Sequence, residues 1–302
     1  MKFPNLLLIS LIMCLSVHAQ EEAADKADWR EFCNLTAQNI SIRQADETKK
    51  EKPQAPFLRH DKPIFEHKNP FNRDERGLVY LWKQKDGRPV AIFTSLVFKK
   101  SATNRWNEVT EFHSLHDKPL TVTYGNSKEL SSSNYANQLS WRPDGAIEWS
   151  ELSNAPKPAT TKVRLQLQGK SLIRRFSCDG VFPSGQKYHL NAQTSPVYQY
   201  SLNQDGKLIG GLLTFFCRAT DPESLLLLEV RKNATGELTW HYAVGNFTVG
   251  KITFHLDKKQ IWEQASERWR DPTSIHYGAF PAQGFTIAEG VARQKRYHTT
   301  AD

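Results

Sequence analysis

The chain has 302 residues, of which 39% are hydrophobic and 24% are charged, and its 40 Lys and Arg residues exceed its 32 Asp and Glu residues. This composition excludes a disordered chain, a collagen, a coiled coil and a disulfide scaffold, and the length predicts about two domains. A net charge of +8 is modest for this length, so we interpret it as an ordinary basic surface and expect no nucleic-acid partner.

The first residues have the pattern of a secretory signal peptide. Lys2 precedes a short apolar run at residues 6–15, and the small residues Val17 and Ala19 precede a cleavage point. We therefore predict a signal peptide at residues 1–19 and export of the mature protein to the periplasm or the cell exterior. No later apolar stretch reaches the length needed to cross a bilayer, so no transmembrane segment is expected after cleavage.

Three cysteines follow the predicted signal peptide, and an odd number leaves at least one without a partner in the same chain. Cys178 and Cys217 form the disulfide that we consider possible. The alternative is that the thiols are free and act as small buried apolar groups. Because no Cys-x-x-Cys pair and no nucleotide-binding motif occurs, we expect no metal site and no cofactor.

The central part of the chain contains two copies of one pattern. Each copy has a Pro-led segment, a Gly-led apolar segment and a Pro-containing turn, and the matching positions are 133 or 134 residues apart: PIFEH at 63–67 with PVYQY at 196–200, GLVYLW from Gly77 with GLLTFF from Gly211, and Pro89 with Pro222. A recurrence of two prolines and one glycine at a nearly constant offset predicts an internal duplication.

A helix is predicted before each copy, because apolar residues recur at helical spacing from Trp29 to Ile40 and from Leu165 to Phe176. Short Asp-Gly and Asp-Pro turns join the strands that follow, so these strands are antiparallel. We therefore predict an α+β fold with two tandem helix-plus-antiparallel-sheet halves that are related by internal duplication and packed together. The alternative is one large β-barrel with two flanking helices.

These elements predict a simple organisation of the chain. The segments are, in order, a signal peptide at 1–19, a first α+β half at 28–124, a linker at 125–159, a second α+β half at 160–264 and an irregular C-terminal tail at 265–302. Serine and proline residues are frequent in the predicted linker, and the tail has no clear hydrophobic period.

Several of these segments resemble a known family. The segments are PIFEHKNPFNRDERGLVYLWKQKDGRPVAIFTSLVF at 63–98, EVTEFHSL at 108–115, NAPKPATTKVRLQLQGKSLIRRF at 154–176, SPVYQY at 195–200 and TDPESLLLLE at 220–229. They resemble a family of uncharacterised secreted proteins of planctomycete bacteria, over roughly residues 28–264. The resemblance implies a bacterial exported protein and brings no activity with it.

The best candidate for a polar site is EVTEFHSLH at residues 108–116. Alternate residues of a strand share a face, so Glu111, His113 and Leu115 are predicted to point the same way. Glu111 beside His113 could orient the imidazole as a general base, and His116 would lie at a rim. The alternative is a half-buried strand in which the Glu and His side chains satisfy each other or meet solvent.

Arg88, in a Gly-Arg-Pro turn, is a candidate ligand-binding residue. It could bind an anionic ligand, or it could form a structural ion pair with Glu111 across adjacent strands. The metalloprotease motif HExxH and the serine-hydrolase motif GxSxG are both absent, so an enzyme is expected less than a binding protein.

Two functions remain open. The duplication favours a non-catalytic exported binding or interaction protein, with a peptide, a glycan or an envelope component as partner. The alternative is a secreted hydrolase with a site near Glu111 and His113 at the junction of the halves. A concave pocket with further titratable groups around these two residues would favour the hydrolase, and a convex solvent-facing position would exclude it.

Overall fold

A computed structural model of the chain describes residues 29–45, 55–69, 74–100, 102–103, 105–125, 141–182, 184–193, 195–204, 207–248, 250–265, 271 and 273–299. The predicted signal peptide at residues 1–19 lies outside the described residues, as do parts of the predicted linker and tail.

The described residues form three helices and seventeen strands. The helices are α1 (residues 29–38), α2 (Lys162–Ile173) and α3 (Ile287–Thr299). The strands that precede α2 are β1 (Ile40–Gln44), β2 (Leu58–Arg59), β3 (Phe65–Lys68), β4 (Arg76–Lys83), β5 (Pro89–Lys100), β6 (Arg105–Ser114), β7 (Leu120–Tyr124) and β8 (Ser150–Glu151). Those that follow are β9 (Phe176–Val181), β10 (Lys187–Ala192), β11 (Tyr198–Gln204), β12 (Lys207–Arg218), β13 (Asp221–Lys232), β14 (Leu238–Asn246), β15 (Lys251–Leu256), β16 (Lys259–Gln264) and β17 (His276–Phe285). None of these three helices is both long and apolar enough to cross a membrane.

The strands form two large antiparallel sheets and one small ribbon. The first sheet has six strands in the order β17-β6-β5-β4-β2, and β3 also pairs with β4. The second sheet has nine strands in the order β16-β15-β9-β10-β12-β13-β14-β8, and β11 also pairs with β12. The ribbon consists of β1 and β7. The pairing order β3-β4-β5-β6 recurs as β11-β12-β13-β14, while the internal duplication itself stays a prediction.

The predicted α+β fold with two helix-plus-sheet halves is wrong. Strands account for 53% of the described residues and helices for 15%, so the fold is β-rich, with large curled antiparallel sheets. The physical reason is the length of the strands. The central strands β5, β12 and β13 each contain 12 residues, so most of the described residues belong to the sheets. In addition, β17 from the C-terminal region joins the first sheet beside β6, so no boundary near residue 264 separates two self-contained units.

The central strands of both large sheets are buried on both faces, which explains their nearly continuous apolar runs. Along β4, Leu78, Tyr80 and Trp82 face one side and Val79 and Leu81 face the other. The outer face of the first sheet packs against α1 and α3, and the outer face of the second sheet packs against α2. The two inner faces pack against each other through a middle cluster: Val79, Leu81, Ile92, Leu115, Ile147, Leu213, Phe215, Cys217, Leu225, Leu227, Ala243 and Phe247.

The C-terminal residues from 276 to 299 are ordered, which corrects the prediction of an irregular tail. The strand β17 pairs with β6 through two register shifts, which weaken its alternating pattern in the sequence. The helix α3 begins with a capping box, since the backbone N–H of Thr286 donates to Glu289 Oε2 at 2.8 Å and the backbone N–H of Glu289 donates to Thr286 Oγ1 at 3.2 Å. The Thr-x-x-Glu signal for this helix was present in the sequence.

The turn between β15 and β16 provides a test of the backbone conformation. Asp257 and Lys258 form this turn with φ angles of 49° and 69°, a conformation that Gly adopts without steric strain. We expect Lys258→Gly to raise the free energy of unfolding by about 1 kcal/mol, as measured by urea denaturation. The matched control Lys259→Gly lies in β16 and should lower it. A destabilising Lys258→Gly would contradict this turn geometry.

Candidate functional site

A cavity of about 300 Å³ lies between the two large sheets. The first sheet contributes Glu111 and Val109 from β6, and the second sheet contributes Asp221 and Glu223 from the start of β13. Glu75, which precedes β4, completes a set of four carboxyl groups. The other walls are mainly apolar and include Leu96, Phe98 and Phe247. The cavity therefore combines apolar surface with several carboxyl groups that converge on one space.

Strand alternation and one hairpin bring the carboxyl groups together. Glu111 lies on the inner face of the first sheet, because alternate residues of β6 face the second sheet. Asp221 begins β13 directly after a turn formed by Ala219 and Thr220. The Thr220 hydroxyl donates to the carbonyl oxygen of Lys68 and accepts from the backbone N–H of the same residue. These bonds fasten the tip of the hairpin to β3 and so place Asp221 at the cavity.

The four carboxyl groups differ in their partners. Arg218 Nε donates to Glu223 Oε1 at 2.5 Å, and the Tyr188 hydroxyl donates to the other oxygen of Glu223. Glu75 Oε1 accepts a hydrogen bond of 3.1 Å from Asn69 Nδ2. Among the described residues, no side chain donates a hydrogen bond to the carboxyl groups of Glu111 or Asp221, so these two groups are available to a ligand.

Burial and mutual repulsion favour the protonated forms of Glu111 and Asp221. Burial, followed by the charges of Asp221, Glu223 and Glu75, raises the pKa of Glu111 well above its ordinary value. Burial and the charges of Glu223 and Glu75 raise the pKa of Asp221 to about 8, although Arg218 opposes this shift. The cavity thus presents two carboxyl groups that resist ionisation beside Glu223, which is paired with Arg218.

His67 lies directly behind Asp221. Its side chain is buried, and its Nδ1 is 3.6 Å from Asp221 Oδ1. Neither ring nitrogen has a hydrogen-bond partner among the described residues. The ring lies so close to Gly77 that a Cβ atom at this position would overlap it. Burial lowers the pKa of His67 to about 4, so a neutral imidazole faces the Asp221 carboxyl at neutral pH.

His113 shares the inner face of β6 with Glu111 but does not line the cavity. Its ring is fully buried, lies against Gly245 and stacks on His276, with ring centroids 6.1 Å apart. Its Nδ1 donates to the carbonyl oxygen of Ser114 at 2.8 Å, which holds the ring away from Glu111. The titratable neighbour of Glu111 in the structure is therefore Asp221, whereas the sequence suggested His113.

His116 lies in a different place again. It follows the end of β6, is largely buried, and its Nδ1 accepts a hydrogen bond of 3.1 Å from the backbone N–H of Lys118. Its ring packs against Phe57 and borders a separate cavity of about 460 Å³. The three candidates of the β6 segment, Glu111, His113 and His116, therefore lie in three different surroundings.

Arg88 forms an ion pair, but the predicted partner Glu111 is wrong. Arg88 Nε lies 3.4 Å from Glu229 Oε1, and Glu229 is buried in β13 of the second sheet. Glu229 also accepts hydrogen bonds from Arg231 Nε at 3.1 Å and from the Tyr200 hydroxyl. A buried carboxylate with these donors is a structural group, so Arg88 links the two sheets.

Cys178 and Cys217 are free thiols in the structure, so the possible disulfide is not formed. Cys178 belongs to the cluster on the outer face of the second sheet, and Cys217 belongs to the middle cluster between the sheets. Cys178 Sγ lies 3.2 Å from Ser224 Oγ, and Cys217 Sγ accepts a hydrogen bond from Gln193 Nε2. Both act as small buried groups on opposite faces of one sheet.

Another polar group lies on the second sheet, away from this cavity. Asp179 of β9 faces His189 of β10 at 2.8 Å and His255 of β15 at 3.6 Å, beside an open depression of about 540 Å³. Within the described ranges, no group of three or more His, Cys, Asp or Glu side chains is arranged to hold a metal ion.

Sequence analysis missed Asp221, Glu223 and Glu75. The Asp-Pro-Glu sequence at 221–223 was interpreted as a turn, and only the packing of two sheets places it opposite Glu111. No protein-family model, no curated protein and no solved structure matches this chain. The functional argument therefore depends on the geometry of the cavity.

The buried pair His113 and His276 predicts a loss of stability in acid. Burial lowers the pKa of His113 to about 4, and burial together with His113 lowers the pKa of His276 to about 3. The unfolded chain binds protons at these groups near their ordinary pKa of 6.5, so their contribution to stability falls as the pH falls from about 6.5 to 4.

We expect His276→Gln to reduce this acid-induced fall in the free energy of unfolding by about 3 kcal/mol at pH 4. Urea denaturation of the wild-type protein and the variant between pH 4 and pH 8 measures the free energy of unfolding at each pH. The exposed Gln186→Asn variant, which changes no titratable group, is the control and should follow the wild-type slope. An unchanged slope in His276→Gln would show that this imidazole is not buried as described.

Proposed function

We propose that the protein is an exported, non-catalytic binding protein whose cavity between the two sheets takes a small ligand. The cavity of about 300 Å³, with apolar walls and a few convergent carboxyl groups, carries this proposal. Sites for small molecules have this composition, because apolar walls supply affinity and a few polar groups supply orientation. The signal-peptide pattern at residues 1–19 and the resemblance to secreted planctomycete proteins support export.

The state of the side chains favours binding over catalysis. A general base must be unprotonated, whereas burial and neighbouring charges raise the pKa of both Glu111 and Asp221 and so favour their protonated forms. His113, the base suggested by the sequence, is buried beside His276 and does not line the cavity. Glu223 is held by Arg218 and Tyr188. The cavity therefore offers polar anchors without an activated base or nucleophile.

Blocking the cavity tests this proposal. Thr248 lines the cavity, and we expect Thr248→Trp to fill it with an indole ring. In a screen of small aromatic compounds with amine, hydroxyl or carboxyl groups, binders should raise the Tm of the wild-type protein by about 2 °C or more at high concentration. Thr248→Trp should abolish these shifts.

The control for this experiment is Val163→Trp, at an exposed position of α2. It adds the same side chain to the surface and should leave all shifts unchanged. Absence of any shift in the wild-type protein, or shifts that persist in Thr248→Trp, would contradict a ligand site in this cavity.

A secreted hydrolase at the same cavity is the second candidate, and one observation favours it. Glu111 and Asp221 come from opposite sheets and line one cavity, and acid–base catalysis also uses two carboxyl groups that face one substrate. Glu111 would be the general acid, and Asp221 would become a base only above about pH 8. Nitrophenyl glycosides and esters, tested from pH 6 to pH 9, should then be hydrolysed by the wild-type protein and not by Glu111→Gln. Absence of hydrolysis would exclude this candidate.

A further inference from the structure

We propose that the cavity ligand is a small apolar amine, whose ammonium group lies between Glu111 and Asp221 and whose apolar body contacts Leu96, Val109 and Phe247. This inference rests on the proposed function, because it names the ligand class of the same cavity. It goes further, because it assigns recognition of the ligand's positive charge to Glu111 of the first sheet and Asp221 of the second.

The placement of the two carboxyl groups supports a single cationic group as their partner. Glu111 comes from β6 of the first sheet and Asp221 from β13 of the second, and both line one cavity of about 300 Å³. Glu223 already has Arg218 and Tyr188 as partners, and Glu75 has Asn69. An ammonium group has three donors, so it can bond to two carboxylates at once.

The apolar walls distinguish an amine from a hard metal ion. Calcium is usually held by six to eight oxygen ligands, and magnesium keeps several waters in an octahedral shell. In the described part of the chain, two of the four cavity carboxyl groups, Glu111 and Asp221, receive no hydrogen bond from a side chain, and Leu96, Val109 and Phe247 occupy much of the surrounding wall. An organic cation uses both features, because its ammonium group pairs with the acids while its carbon body is removed from water.

Binding of such a cation is coupled to proton release. Burial and the charges of Glu75 and Glu223 raise the pKa of both cavity acids and so favour their protonated forms, and Arg218 offsets this only in part at Asp221. A bound ammonium group favours the carboxylate form, so an acid proton passes to solvent as the amine binds. Once ionised, Asp221 can accept from Nδ1–H of His67, which lies 3.6 Å away. Amine affinity should therefore rise between pH 6 and pH 8.

Isothermal titration calorimetry with two matched probes tests the inference. The probes are 2-phenylethylamine, which remains a cation from pH 6 to pH 8, and 2-phenylethanol, which has the same shape and no charge. We expect the amine to bind at least about tenfold more tightly than the alcohol at pH 8. The preference should shrink at pH 6, and titrations in two buffers of different ionisation enthalpy should show proton release for the amine alone.

Two variants test whether Glu111 and Asp221 are responsible for binding the amine. Glu111→Gln and Asp221→Asn should each weaken amine binding by about tenfold or more and leave binding of the alcohol unchanged. Glu148→Gln is the control, because Glu148 is an exposed carboxylate outside the cavity. Asp221→Asn also has a readout that does not depend on a ligand. It should raise the Tm at pH 9 and not at pH 4, because it removes a partly buried carboxyl with a pKa of about 8.

The outcomes separate the two proposals. If amine and alcohol bind equally well and both are lost in Thr248→Trp, the cation inference is wrong and the proposed binding function stands. If calcium ions displace the amine in competition, the site is one for a hard cation and the inference is wrong. If neither probe binds and no compound of the screen shifts the Tm, the binding function fails together with the inference.

Discussion

The face-to-face packing of the two large sheets is the constraint on which the rest of the structure depends. Phe215, Leu225 and Leu227 of the second sheet and Val79, Leu81 and Ile92 of the first belong to one buried middle cluster. Each fully buried Leu or Phe side chain contributes about 2 kcal/mol relative to exposure. Because these inner faces are apolar, the two sheets cannot separate without exposing apolar surface to water. The cavity, the buried histidines and the ion pair of Arg88 all exist because these two inner faces meet.

Polar contacts set how the two sheets lie against each other. The hydrophobic effect has no direction, whereas hydrogen bonds and ion pairs require defined geometry. Arg88 reaches Glu229, the Tyr198 hydroxyl donates to the carbonyl oxygen of Gly87, and Thr220 bonds to the backbone of Lys68. These contacts lie at both ends of the strands, so they fix the position of β13 along the first sheet. Asp221 thereby comes to lie opposite Glu111.

The same packing explains the charge state of the cavity. Carboxyl groups that approach one another away from water bind protons more tightly, because ionisation then costs both desolvation and repulsion. Arg218 donates a hydrogen bond to Glu223, whereas no side chain among the described residues donates one to the carboxyl groups of Glu111 and Asp221. The buried imidazoles respond in the opposite direction, since burial disfavours their protonated form. Low pH therefore destabilises the fold at the buried histidines, because it favours their protonated form. High pH destabilises it at Glu111 and Asp221, because it favours ionisation of their carboxyl groups.

The local features of this fold were accessible from the sequence, and the site was not. Alternation correctly placed Glu111 and His113 on one face of β6, with Leu115 just after the strand on the same side, and the short turns correctly indicated antiparallel strands. Helices from Trp29 and before Phe176 were also found, because their periods depend only on neighbouring residues. The partners of Glu111 and Arg88, and the strand and helix near the C-terminus, were missed or wrongly assigned. Their positions depend on which sheet faces pack together, and residues such as Glu111 and Asp221, 110 positions apart in the chain, meet only through that packing.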